Sequence, residues 1–209
     1  MIAQLHFITQ ENEIYSHLRG ITAACEAGVK WVQLRIKDKT EEEISEQSQL
    51  AREICDRYGV KLIINDYPEI AKKVNADGVH LGKNDMPVAN ARHIVGNKMI
   101  IGATANTLED IISHADNGAD YIGLGPFRYT STKKNLSPIL GIEGYVHIMK
   151  ECARRAIDVP IIAIGGIERE DIAALMETGV YGVALSGLIV RSNDMSGEVE
   201  KINSLLKRD

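Results

Sequence analysis

The chain has 209 residues, 44% hydrophobic and 25% charged, which provides enough apolar material for a sizeable core and excludes a largely disordered chain. Lysine and arginine number 24 against 29 aspartates and glutamates, a net charge of −5. That balance argues against a general nucleic-acid binder but leaves room for anionic small molecules in a cleft where a few cations are focused. Cys25, Cys55 and Cys152 are odd in number, far apart and without C-x-x-C spacing, so they read as packed thiols in a reducing compartment. The N-terminal MIAQLHFITQ lacks a basic region followed by an apolar core, and no apolar run approaches the ~18 residues needed to span a bilayer. A cytoplasmic protein without nucleic-acid or membrane partners is expected.

Short β-branched runs alternate with segments of helical period along the whole chain. The predicted strands are Gln4–Thr9, Trp31–Arg35, Lys61–Asn65, Gly78–Leu81, Met99–Ala103, Tyr121–Gly125, Pro160–Ile164 and Gly182–Leu185. The predicted helices are Tyr15–Ala27, Glu41–Tyr58, Pro68–Val74, Pro87–Val95, Leu108–Asn117, Ile142–Arg155, Arg169–Thr178 and Gly197–Lys207. Continuous apolar strands such as LII and IIAI suit a sheet covered on both faces, hence parallel strands with crossover helices. Recurrent junctions in EAGVKWVQL, NADGVHL, NGADYIGL and ETGVYGVAL place a helix-ending glycine or asparagine just before a strand. With about eight such units and no linker, residues 1–209 read as one α/β domain, a single (β/α)8 TIM barrel, with an open doubly wound sheet as the alternative.

In such a barrel the reactive end lies where strands finish and βα loops begin. Strand two runs into Gln33, Arg35 and Lys37, strand three ends in Asn65-Asp66, and the loop after strand four holds Asp85. Strand five ends at Thr104, strand six leads into GPFRYTSTKK with Lys133, strand seven ends in Gly165-Gly166 and strand eight in Ser186-Gly187. Arg35, Lys37 and Lys133 are suited to a pyrophosphate, where they would stabilise the charge that develops as it departs. Asp66 and Asp85 together suit Mg²⁺, which takes oxygen ligands and is often held by one or two carboxylates plus substrate phosphates. The glycine pairs after strands seven and eight let backbone amides approach a second phosphate. The stretch Pro126–Gly141 is long for a barrel connection and reads as a lid over the site. His80 and Trp31 read as structural, and the run Glu41-Glu42-Glu43 as the first turn of a helix.

The set QLRIK, NDYPEIA, ADGVHLGKNDMP, IGATANT, GADYIGLGPFRYTSTKK, PIIAIGGI and GVALSGLI spans nearly the whole chain and resembles the thiamine phosphate synthase family. The resemblance implies a transferase of thiamine biosynthesis that condenses hydroxymethylpyrimidine pyrophosphate with thiazole phosphate, using Mg²⁺. By motif, Gln33, Arg35, Lys37, Asn65, Thr104 and Lys133 would contact the pyrimidine pyrophosphate, with Arg35, Lys37 and Lys133 catalytic. Asp66 and Asp85 would bind Mg²⁺, while Thr130, Ser131, Thr132, Gly166, Ser186 and Gly187 would hold the thiazole phosphate. Lys83, Thr104 and Ser186-Gly187 depart from the family pattern, which commonly has glutamine, serine and a second hydrophobic-serine pair there. Family analogy also points to a homodimer. The competing readings are a thiazole tautomerase, which needs no pyrophosphate site, and a noncatalytic phosphate-ligand sensor.

Overall fold

The structure is a computed structural model and describes residues 1–129 and 138–207. Among these residues the chain alternates β1 (Leu5–Ile8), α1 (His17–Glu26), β2 (Trp31–Leu34), α2 (Glu41–Tyr58), β3 (Lys61–Asn65), α3 (Pro68–Lys73), β4 (Gly78–Leu81) and α4 (Val88–Val95). It continues with β5 (Ile100–Ala105), α5 (Leu108–Asp116), β6 (Tyr121–Leu124), α6 (Gly141–Arg154), β7 (Ile161–Ile164), α7 (Asp171–Glu177), β8 (Gly182–Leu185), α8 (Gly187–Val190) and α9 (Met195–Leu206). All eight strands pair in parallel and in chain order, and β1 pairs with β8, so the sheet closes into a barrel. Closure removes both sheet edges and decides against the open doubly wound alternative.

Local chemistry explains where the elements begin and end. Thr40 and Glu43 form a capping box at the start of α2, and Thr107 and Asp110 form another at α5. Pro68 opens α3, where its missing N–H would have no helical acceptor in any case. The repeated helix-to-strand junction turns through the left-handed region at Gly28 and Gly118, and Asn75 takes the same conformation in NADG. One short element escaped the periodicity: α8 spans only four residues between β8 and α9, and α9 starts two residues earlier than expected.

Two apolar layers follow from the alternation of strand side chains. Val32, Leu34, Leu62, Ile64, Val79, Leu81, Ile101 and Ala103 point outward and pack under the helices. Trp31, Ile63, Tyr121, Ile162 and Ala184 point inward and fill the barrel. His6 stacks on Trp31 with ring centroids 4.4 Å apart, and Tyr121 meets both rings edge-on. The Tyr121 ring crosses above Gly102, where a Cβ would collide with it. Trp31 and His80 are thus interior packing residues, and the three cysteines are buried free thiols. Above this apolar floor, the inward positions nearer the strand C-termini are Gln33, Asn65, His80 and Thr104, all buried. The change from apolar to polar along the same inward face marks the functional end. No described helix is long and apolar enough to cross a membrane.

Candidate active site

A cavity of about 930 Å³ opens at the C-terminal end of the barrel. It brings together Gln33, Arg35, Lys37, Asn65, Asp66, Asp85, Thr104, Gly166, Ser186 and Gly187, which are the sequence-derived candidates within the described residues. Thr130, Ser131, Thr132 and Lys133, with half of the stretch read as a lid, lie outside the described residues.

The acidic pair stands on one wall. Asp66 follows β3 in the left-handed region (φ 70°), a conformation that aspartate tolerates better than most residues and that is commonly kept at functional sites. Its backbone N–H donates to the His80 carbonyl at 2.8 Å, which ties the turn to β4. Asp85 accepts from the Gly82 N–H at 2.7 Å, and its carboxyl stands within hydrogen-bonding reach of Asp66. Burial and the adjoining Asp85 push Asp66 up to about 6, with Lys37 pulling the other way through a direct ion pair. Strand β2 ends at Leu34, so Arg35 and Lys37 lie just past it rather than on it, yet both reach the cavity. Burial draws the Arg35 guanidinium below its ordinary value while Asp66 and Asp85 act in the opposite direction. The Arg35 N–H is fixed to Thr9 Oγ1 at 3.0 Å. Among the described residues no group of three or more His, Cys, Asp or Glu forms a metal cage, so any cation here would rest on the two carboxylates and on ligand oxygens.

The floor is a polar chain. His80 Nδ1 lies 2.9 Å from the Tyr121 hydroxyl and His80 Nε2 lies 3.0 Å from Thr104 Oγ1. His80 is therefore a satisfied interior histidine that also orients Thr104, itself part of the cavity lining. Among the described residues Asn65 Nδ2 is buried without a hydrogen-bond acceptor, a donor that a ligand would satisfy. Lys83 pairs with Asp110 at 2.9 Å and so leans toward the start of α5.

The opposite wall carries the glycine turns. Gly165 and Gly166 adopt φ of 99° and 69°. Their carbonyls accept from the Arg128 backbone N–H at 2.9 Å and from Arg128 Nη1 at 3.0 Å. Arg128 is itself forked onto Asp171 at 2.8 Å through each of two nitrogens. Because a trans peptide points its N–H opposite its C=O, pinning both carbonyls on the β6 side turns the next two N–H groups the other way. The Ser186 hydroxyl donates to Gln10 Oε1 at 3.1 Å, so it is already engaged within the protein. Gln10, Glu168 and Arg191 also line the cavity and were not singled out in the sequence. Arg191 caps the four-residue helix that periodicity does not detect, so no sequence signal pointed to it.

Fold and site together define a (β/α)8 enzyme in which a cation-and-carboxylate wall and a glycine-turn wall face one cavity. The family model described as thiamine monophosphate synthase matches residues 5–189, and the chain belongs to that family. It is 48% identical over 201 residues to a thiamine-phosphate synthase of Bacteroides thetaiotaomicron, covering 96% of each chain. It is 49% identical over 202 residues to a thiamine-phosphate synthase of Phocaeicola vulgatus, covering 97% of each. The solved thiamine phosphate pyrophosphorylase of Pyrococcus furiosus superposes with a TM-score of 0.84 at 28% identity, over 97% of this chain and 95% of that one. A 3-hexulose-6-phosphate synthase superposes with a TM-score of 0.68 at 14% identity, a likeness of fold alone.

Proposed function

We propose that the enzyme condenses hydroxymethylpyrimidine pyrophosphate with a thiazole phosphate, forming thiamine phosphate and releasing pyrophosphate. The observation that carries this reading is the division of one cavity into a cation-and-carboxylate wall at Arg35, Lys37, Asp66 and Asp85 and a glycine-turn wall at Gly165, Gly166, Ser186 and Gly187. Two phosphorylated substrates bound on these walls would meet over the floor made by Gln33, Asn65, His80 and Thr104.

On this reading Gln33, Asn65 and Thr104 hold the aminopyrimidine ring, with Asn65 Nδ2, which finds no acceptor among the described residues, donating to it. Arg35 and Lys37, joined by Lys133 on the family's motif, bind the pyrophosphate and stabilise the negative charge that builds on it as the carbon–oxygen bond breaks. The electron-rich ring disperses the positive charge left on its exocyclic carbon, so no side-chain nucleophile is required. Thr130, Ser131 and Thr132, by the same motif, act with the amides near Gly166 and Gly187 to hold the thiazole phosphate, which aims the thiazole nitrogen at that carbon. Asp66 and Asp85 fit Mg²⁺, since two adjoining carboxylates, one pushed up by burial and the other's charge, gain most from a divalent ion. Bound there, the ion would supply positive charge to the pyrophosphate oxygens. We expect the enzyme to work in the cytoplasm, as a homodimer by family analogy.

The test is pyrophosphate release and thiamine phosphate formation by purified protein given both substrates and Mg²⁺. Turnover that needs both substrates and falls in Asp66→Ala supports the reading. A folded protein that binds thiazole phosphate yet never consumes the pyrimidine pyrophosphate overturns it.

A further inference from the structure

The glycine-turn wall holds a charged pair that this mechanism does not use. Arg191 is the C-terminal cap of α8, and its guanidinium folds back over Gly187, into the place where a Cβ at that position would stand. Its Nη2 donates to Glu168 Oε1 at 3.1 Å, and both side chains line the cavity. Glu168 is anchored in turn, because its backbone N–H donates to Asp171 Oδ2 at 2.8 Å. Among the described lysines and arginines that line the cavity, Arg35, Lys37 and Lys83 stand after β2 and β4, and Arg191 alone stands after β8.

A phosphate monoester carries close to two negative charges at neutral pH. Backbone amides offer it only partial charges, and Glu168 on the same rim repels it. An ion pair at this spot is hard to explain as a stabilising device, since exposed pairs contribute little and the Arg191 side chain is 62% exposed. The same exposure lets the guanidinium exchange partners without disturbing the packing. We propose that Arg191 is a further substrate-binding residue that leaves Glu168 for the phosphate of the second substrate and sets the preference for a phosphorylated over an unphosphorylated thiazole. Glu168 holds the guanidinium over Gly187 until the phosphate arrives. The proposal rests on the reading of this wall as the phosphate end.

The two residues are then expected to act with opposite sign. Calorimetric titration of thiazole phosphate and of its dephosphorylated alcohol into the wild type, Arg191→Gln, Arg191→Lys and Glu168→Gln measures this directly. Arg191→Gln should weaken the phosphate ester about tenfold and leave the alcohol unchanged, which removes most of the discrimination between them. Arg191→Lys should recover part of the loss, because it keeps the charge without the planar fork. Glu168→Gln should bind the phosphate ester as tightly as the wild type or tighter. Equal affinities in the wild type and Arg191→Gln overturn the assignment, and so does a Glu168→Gln variant weakened as much as Arg191→Gln, since the pair would then serve only as a brace. A wild type that turns over both substrates while Arg191→Gln binds normally removes Arg191 alone. A wild type that does not bind the phosphate ester removes the phosphate-end reading and the proposal with it.

Discussion

Asp66 gathers several constraints on one carboxylate: a left-handed backbone, burial, an adjoining carboxyl and a lysine ion pair. With its folded-state value raised to about 6, the group favours the folded chain in acid, and that contribution is lost as pH rises through about 6. Under the proposed Mg²⁺ role, cation binding would run in the opposite direction because it needs the ionised form, so Mg²⁺ affinity should increase as pH rises through the same range. Titrating Mg²⁺ at several pH values tests this, and Asp66→Asn should abolish the pH dependence and lower turnover by about two orders of magnitude. His6 has the reverse linkage. Burial holds it down at about 3, so its contribution to stability is complete above its ordinary value near 6.5 and is lost as pH falls toward 3. Thermal melts of His6→Gln should show a shallower acid slope than the wild type, by up to about 1.4 kcal/mol per pH unit, and an unchanged slope would exclude His6 as the acid-labile group. Residue types at strand ends were legible in the sequence, since cations and carboxylates at βα junctions have few structural reasons to cluster. The ion pair of Lys37 with Asp66 and the fork of Arg128 on Asp171 were not legible, because each joins residues 29 or 43 positions apart.

At the scale of elements, helix caps and strand alternation set the boundaries, and both are local. Thr40→Ala removes the acceptor for the Glu43 N–H in the α2 capping box and should cost about 1 kcal/mol by chemical denaturation, with activity retained. Asp110 has more at stake, since its carboxylate caps α5, accepts from the Asn106 N–H at 2.9 Å and holds Lys83. Gly102→Ala places a methyl group against the Tyr121 ring and should destabilise by about 1–3 kcal/mol or more, with loss of the His80–Thr104 alignment above it. Most strand and helix limits fell within two residues of those read from the sequence, because turn glycines and capping residues mark them chemically. The four-residue α8 was invisible for the complementary reason: a single turn contains no period to detect.

At the scale of the whole molecule, a ligand held in this cavity would be coupled to barrel stability. The acidic pair lies after β3 and β4, and the glycine turns lie after β7 and β8, on strands linked through the pairing of β8 to β1. A ligand that binds only the folded barrel stabilises it by about 2.7 kcal/mol at a hundred times its dissociation constant. Mg²⁺ with pyrophosphate at that level should therefore raise the melting temperature by about 5–10 °C. Asp85→Ala should lose most of that rise while melting near the wild type without ligand. An equal rise in the variant would place the ligand elsewhere.

The number and order of the strands, their burial on both faces and the chemistry gathered at their C-terminal ends were determined by the sequence alone. Each of these depends on local periodicity or on which residue follows a strand, and neither needs a partner from far along the chain. Closure of β1 onto β8, the Asp66–Asp85–Lys37 cluster, the His80 link between Tyr121 and Thr104 and the placement of Arg191 over Gly187 were decided only by the tertiary structure. These depend on the curvature and register of a closed sheet, which bring distant residues within a few ångströms of one another, and no pattern along the chain encodes that distance directly.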